Sequence, residues 1–271
     1  MHTRTLIKLA FALTFGIVLQ TPCLRAQIFT APLQASTTGT NPVDFEFRAD
    51  GTMIAKGNYT YSASLLSTDQ GGGTRLLWFP SQGAFRVGSV SSGLTCWDQS
   101  NIGPTSMAFG QDTTAYGYIS TAMGDESIAS GLVSTAMGQQ TSATGMWTTA
   151  MGFLSTATGN YAATAIGYDT TASGDGSTSM GVYTRALGTN STAAGCFTTA
   201  TAQTSFVVGL FNVGGGNPTT WVPTDPLFEI GNGTATSPSD AMLVDKSGNV
   251  TATTFITKAT PAAGDIPMFG H

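Results

Sequence analysis

Between Ser106 and Gly209 a seven-residue unit, [Ser/Thr]-x-Ala-x-Gly-x-x, repeats fifteen times. Glycine stands at 110, 117, 124, 131, 138, 145, 152 and 159. After one inserted residue it resumes at 167, 174, 181, 188 and 195, becomes Ala202, and returns at Gly209. Ser or Thr precedes that position by four in every unit except the one with Ala163. Ala precedes it by two, except at Ser179 and Val207. So regular a period constrains architecture, because each unit can bury its faces only by stacking on its neighbours.

Seven is also the coiled-coil period, but the residue types exclude a helix. A coiled coil needs large apolar residues at two positions in seven. Here the registered residues are small, and Gly in every second helical turn would cost about 1 kcal/mol each. A five-residue strand with a two-residue turn fits instead. Alternate strand residues share a face, which puts Ser134, Ala136 and Gly138 on one side and Thr135 and Met137 on the other. Gly is expected to turn the chain at positive φ.

The residue before each Gly doubles the period to fourteen. It alternates large and small: Met123, Ser130, Met137, Thr144, Met151, Thr158, Ile166, Ser173, Met180. Two strands per coil, on opposite sides of a thin roll, produce this alternation. The small Ser/Ala/Gly faces meet inside, and Met123, Met137, Met151, Ile166 and Met180 form an outward stripe beside Thr121, Thr135, Thr149, Thr164 and Thr178. An exposed stripe of that kind is costly. Burial, at roughly 1.5–3 kcal/mol per large side chain, calls for a symmetric partner.

These segments resemble the head repeats of trimeric autotransporter adhesins of the YadA type. The resemblance rests on SMAFG (106–110), STAMG (120–124 and 134–138), TTAMG (148–152) and ATAIG (163–167). They interleave with SIASG (127–131), TSATG (141–145) and STATG (155–159). It implies an all-β fold, a left-handed parallel β-roll of about seven fourteen-residue coils. It also implies a homotrimer joined through the larger residues, so that Met123, Met137, Met151, Ile166 and Met180 are the expected subunit interface. Thr and Met stand here where the family often has Val and Ile.

The two residues after each Gly are patterned too. Up to Gly152 the apolar pairs follow the small-type strands: Tyr118-Ile119, Leu132-Val133, Met146-Trp147. Beyond it they mostly follow the large-type strands: Phe153-Leu154, Val182-Tyr183, Cys196-Phe197. The inserted residue in Asn160-Tyr161-Ala162 lies close to the change. These corners are expected to touch neighbouring subunits, the contact moving from one side of the roll to the other near residue 155.

Four segments are expected: a secretory signal (1–26), an N-terminal β-rich capping module (27–105), the roll (106–213) and a C-terminal β-rich segment (214–271). Arg4, Lys8 and the apolar Leu9–Leu19 suggest the signal, with cleavage after Ala26. Phe45–Arg48 and Thr52–Ala55 flank Asp50-Gly51 as a hairpin. Further strands are expected over 75–80, 84–88, 227–230, 241–245 and 250–256. The stretch 226–255 is similar to segments that precede endosialidase-type chaperone domains in phage tail fibres. No membrane insertion of the mature chain is expected, since no apolar run in it reaches spanning length.

From residue 27 onward there are seven basic and fifteen acidic residues, a balance that disfavours nucleic acid. Cys96 and Cys196 lie about seven coils apart, some 30 Å at roughly 4.8 Å per coil, beyond disulfide reach. The histidines are His2 and His271, which leaves no His-based catalytic group in a core. Asp175-Gly176 and Asp245–Asn249 read as turns rather than Ca²⁺ loops. No cofactor or metal is expected, and no catalytic role. A non-enzymatic, secreted or cell-surface structural or adhesion protein is the leading expectation, with an unidentified host, matrix or cell-surface ligand. A phage-fibre-like receptor or glycan binder is the alternative. Ice binding ranks last, because Tyr116, Ile128, Arg185 and Leu187 interrupt the threonine rows.

Overall fold

The computed structural model describes residues 44–47, 53–56 and 71–254. Its heptads pair into fourteen-residue coils, each with one five-residue strand and one two-residue strand. Thr121–Asp125 is followed by Ile128–Ala129, Thr135–Gln139 by Ser142–Ala143, and Thr149–Phe153 by Thr156–Ala157. Equivalent strands pair in parallel, with Thr121 opposite Thr135 and Thr135 opposite Thr149. The long strands form one sheet and the short strands another, of seven strands from Thr114–Ala115 to Thr199–Ala200. The fold is therefore a parallel β-solenoid of about seven turns, nearly without helix.

Equal strands were the expectation, and the short ones fall below it for a visible reason. The amides of Ser130 and Gly131 both donate to the carbonyl of Ala143, at 3.0 and 3.3 Å. Two donors converging on one acceptor end the ladder there. Tyr116 and Gly117 repeat the convergence on Ala129.

The interior is made of alanine and hydroxyls. Ala122, Ala129, Ala136, Ala143, Ala150 and Ala157 are fully buried, as are Ser127, Ser134 and Thr148. The hydroxyl explains the Ser/Thr position of the repeat. Ser134 Oγ donates to the carbonyl of Gly131 at 2.8 Å and Thr148 Oγ1 to that of Gly145 at 2.7 Å. Each thus ties the start of a long strand to the corner before it. Elsewhere Thr141 Oγ1 donates to Ser127 Oγ at 2.8 Å, linking consecutive coils.

The repeat glycine takes the expected positive φ in the long strands, as at Gly124 (110°) and Gly138 (131°), but it does not make the corners. The residue two places after it does, in the left-handed region: Ile119 at φ 55°, Glu126 at 52°, Val133 at 53°, Trp147 at 57°, Leu154 at 55°. The glycines serve close packing. A Cβ on Gly131 would stand 1.8 Å from the carbonyl oxygen of Gly145. On Gly138, at φ +131°, it would stand 1.9 Å from that of Gly152.

Corners fall in two series on opposite sides of the roll. At the first edge the chain passes from a short strand to the next long one, and Val133 N donates to Tyr118 O and Trp147 N to Leu132 O, both at 2.8 Å. At the second edge it passes from long to short, and Leu154 N donates to Gln139 O at 3.0 Å and Tyr183 N to Tyr168 O at 2.9 Å. The inserted residue lengthens one first-edge corner. There Ala162 takes the left-handed position at φ 51° and Tyr161 bridges to Met146.

The long-strand sheet continues beyond the repeats at both ends. Gly73–Phe79 pairs antiparallel with Ala84–Val90, which pairs in parallel with Met107–Gln111. At the other end Phe206–Leu210 pairs in parallel with Pro226–Asn232, and Asp240–Asp245 and Val250–Ala252 follow antiparallel. The strand expected to reach residue 256 ends at Ala252, and residues beyond 254 lie outside those described. Asp44–Phe47 and Met53–Lys56 form an antiparallel pair. The signal segment, His2 and His271 lie outside the described residues.

Two buried charges end the alanine column. Arg86 stands opposite Ala108, and Glu229 opposite Val207, both inside. Arg86 donates to the carbonyls of Ser106 and Ala115 and to Ser106 Oγ, at 2.9, 3.0 and 2.7 Å. Trp97 is buried against the first alanines, its Nε1 donating to Thr113 O at 2.8 Å.

Candidate functional site

The five large residues of the repeat occupy consecutive positions of one column on the long-strand sheet. Met123 stands opposite Met137, Met137 opposite Met151, Met151 opposite Ile166, and Ile166 opposite Met180. Along a ladder successive rungs are about 4.8 Å apart, so each side chain leans on the next. Alternation with the buried alanines turns them outward. Met123, Met137 and Met151 are half-buried, while Ile166 and Met180 are 38% and 42% exposed.

The column is longer than its repeat unit suggested. Phe109 stands opposite Met123, and Val87 opposite Phe109. At the far end Ala194, Val208 and Ile230 continue it. Val87 and Ile230 were missed because they lie in flanking strands without the heptad, and their only sequence signal is Gly one position later.

Beside it runs a second outward column, Met107, Thr121, Thr135, Thr149, Thr164, Thr178, Thr192 and Phe206. Neither column holds a charged residue over the eight rungs from Met107–Gln111 to Phe206–Leu210. The result is an uncharged ribbon on one face of the roll.

Both edges carry apolar ladders, at different heights. On the first edge Tyr118, Ile119, Val133 and Trp147 are exposed, and Trp147 meets Tyr161 with ring centres 6.1 Å apart. The same edge then becomes polar or slim, with Gly176, Asn190 and Thr204 at its corners. On the second edge the order reverses. Asp112, Glu126 and Gln140 come first, then Leu154, Asp169, Tyr183, Phe197 and Phe211. Phe153 and Tyr168 stack at 5.1 Å, Tyr183 and Phe197 at 4.6 Å, and Phe197 and Phe211 at 4.5 Å.

A groove of about 400 Å³ opens where the first edge begins, lined by Gln82, Gln99, Ser100, Pro104, Tyr116 and Tyr118 among others. It holds no titratable group besides the two tyrosines.

Other sequence candidates resolve into structural roles. Asp245 is a turn residue whose carboxylate accepts the amides of Ser247 and Asn249, both at 2.9 Å. Asp175 accepts the amide of Asn160 at 2.7 Å, tying the lengthened corner to the next one. No grouping of metal-binding side chains occurs among the described residues. Cys96 and Cys196 are free and half-buried, Cys196 lying between Val182 and Leu210 on the long-strand sheet. The short-strand row Thr114, Ile128, Ser142, Thr156, Thr171, Arg185, Thr199 is interrupted at Ile128 and Arg185.

Two buried titratable groups depart from ordinary values. Burial lowers the Arg86 guanidinium to about 10. Burial raises the Glu229 carboxyl, against the opposing effect of hydrogen bonds from Asn212 Nδ2 at 2.6 Å and the Gly214 amide at 3.0 Å.

The YadA head domain repeat matches residues 102–127, 119–141 and 161–184. Over those residues the solenoid is similar to YadA head repeats. The matched residues include Met123, Met137, Ile166 and Met180, while Met151 lies between the matched ranges. A search of curated proteins found no match for the chain. Among the described residues no helix is long and apolar enough to cross a membrane.

Proposed function

We propose that the chain is the head of a non-enzymatic adhesin, a homotrimer secreted or held at the cell surface. Its outer faces would attach to a host, matrix or cell-surface ligand. The observation that carries this reading is the uncharged, in-register column from Phe109 to Val208, much of which lies in segments similar to YadA head repeats. Identical rungs on identical chains pack against one another under rotational symmetry. The number three comes from the YadA family. Met123, Met137, Met151, Ile166 and Met180 form the centre of that interface, and the short-strand face stays free for attachment.

Attachment is tested with beads coated with residues 27–271, passed over immobilised extracellular-matrix proteins and over intact cells. The reading expects retention well above albumin-coated beads on at least one surface. Retention equal to albumin on all of them would remove the adhesive role.

A second reading, a glycan-binding fibre segment, is favoured by the groove at Tyr116 and Tyr118. Exposed aromatic faces beside the amides of Gln82 and Gln99 suit a sugar ring and its hydroxyls. Binding on a glycan array that is lost in Tyr116→Ala would support it, and a blank array would discard it.

A further inference from the structure

We infer that neighbouring copies meet edge to edge in a head-to-tail ring, the first edge of one against the second edge of the next. The bulky apolar side of this contact changes hands at the coil of residues 149–162. The inference rests on the trimer reading and adds to it a second, lateral contact with a defined pairing.

The two edges complement each other height by height. In the N-terminal coils the first edge presents Ile119, Val133 and Trp147, while the second presents Glu126 and Gln140. In the C-terminal coils the second edge presents Tyr183, Phe197 and Phe211, while the first presents Gly176, Asn190 and Thr204. Asp169, beside Tyr168, departs from this. A twofold contact of one edge with itself would cover one ladder and leave the other in water. Joining unlike edges covers both ladders with one kind of contact and sets a bulky corner against a slim one at each height.

One further observation agrees. Ile119 and Val133 hold the left-handed conformation at φ 55° and 53°, which β-branched residues disfavour. Folding alone would be better served by Asn or Gly, so these side chains are kept for what they touch.

The test uses residues 27–271 with Cys96→Ser and Cys196→Ser, whose mass is first measured by light scattering. Two double variants are then treated with a short bis-maleimide: Val133→Cys with Gln140→Cys, and Asp175→Cys with Tyr183→Cys. Within one chain each pair is separated by the width of a long strand, about 17 Å for five residues, so a short linker reports contacts between chains. The expected result is a covalent three-chain species from each double variant and none from the four single variants. Dimers from single variants would show like edges meeting and overturn the inference. So would double variants that stay uncross-linked while the mass remains threefold. A one-chain mass of the parent would overturn the trimer reading and this inference together.

Discussion

Gly131 and Val133 sit two residues apart and divide the work that sequence reasoning gave to glycine alone. Gly131 lets one coil lie on the next, and Val133 turns the chain. Gly131→Ala is expected to destabilise the fold by about 3 kcal/mol, since backbone rather than a mobile side chain blocks the methyl. Urea unfolding should show this as a lower midpoint. Val133→Asn should act in opposite directions on two equilibria. It relieves left-handed strain worth about 1–2 kcal/mol, so the separated chain becomes no less stable, while association weakens roughly tenfold or more through loss of the apolar contact. Sedimentation over a dilution series, beside unfolding of the dissociated chain, separates the two effects. The corner was illegible in the sequence because valine and isoleucine carry no turn signal. Their conformation is imposed by the ladder of corner amides, as in Val133 N to Tyr118 O.

At the scale of strands, the alternation of Met and Ser/Thr before Gly was enough to place two strands per coil and to predict which large residues share a column. It did not reveal how short the second strand is, because Ala143 accepting two amides is a matter of backbone geometry. Nor did it reveal that the interior ends on Arg86 and Glu229. Both lie in flanking strands outside the heptad, and each reads in sequence as an ordinary surface charge. Arg86→Ala should cost about 3 kcal/mol or more by removing its hydrogen bonds to Ser106 and Ala115 and emptying the buried volume its side chain fills. Glu229 should make stability depend on pH. Its carboxyl titrates above the ordinary 4.5 in the folded chain, so between those two values the folded state holds the extra proton. Stability therefore rises as pH falls from neutral toward about 4.5, and below that the gain is complete. Glu229→Gln should flatten this part of the pH profile, measured by thermal unfolding across that range.

For the molecule as a whole, the repeat places an uncharged ribbon along one face and apolar ladders on both edges, with exposed large side chains in each among the described residues. Solenoid coils stack on neighbours along the axis, and that stacking leaves these lateral surfaces uncovered. Met137→Glu with Met151→Glu puts six carboxylates at the centre of a trimer without touching the alanine interior. It should convert the assembly to single chains that keep their β circular dichroism. The most direct measurement is the solution mass of residues 27–271 by light scattering behind size exclusion. Three times the chain mass is the predicted value. A mass of one chain, unchanged over a hundredfold rise in concentration, would contradict the claim that the methionine column is a subunit interface.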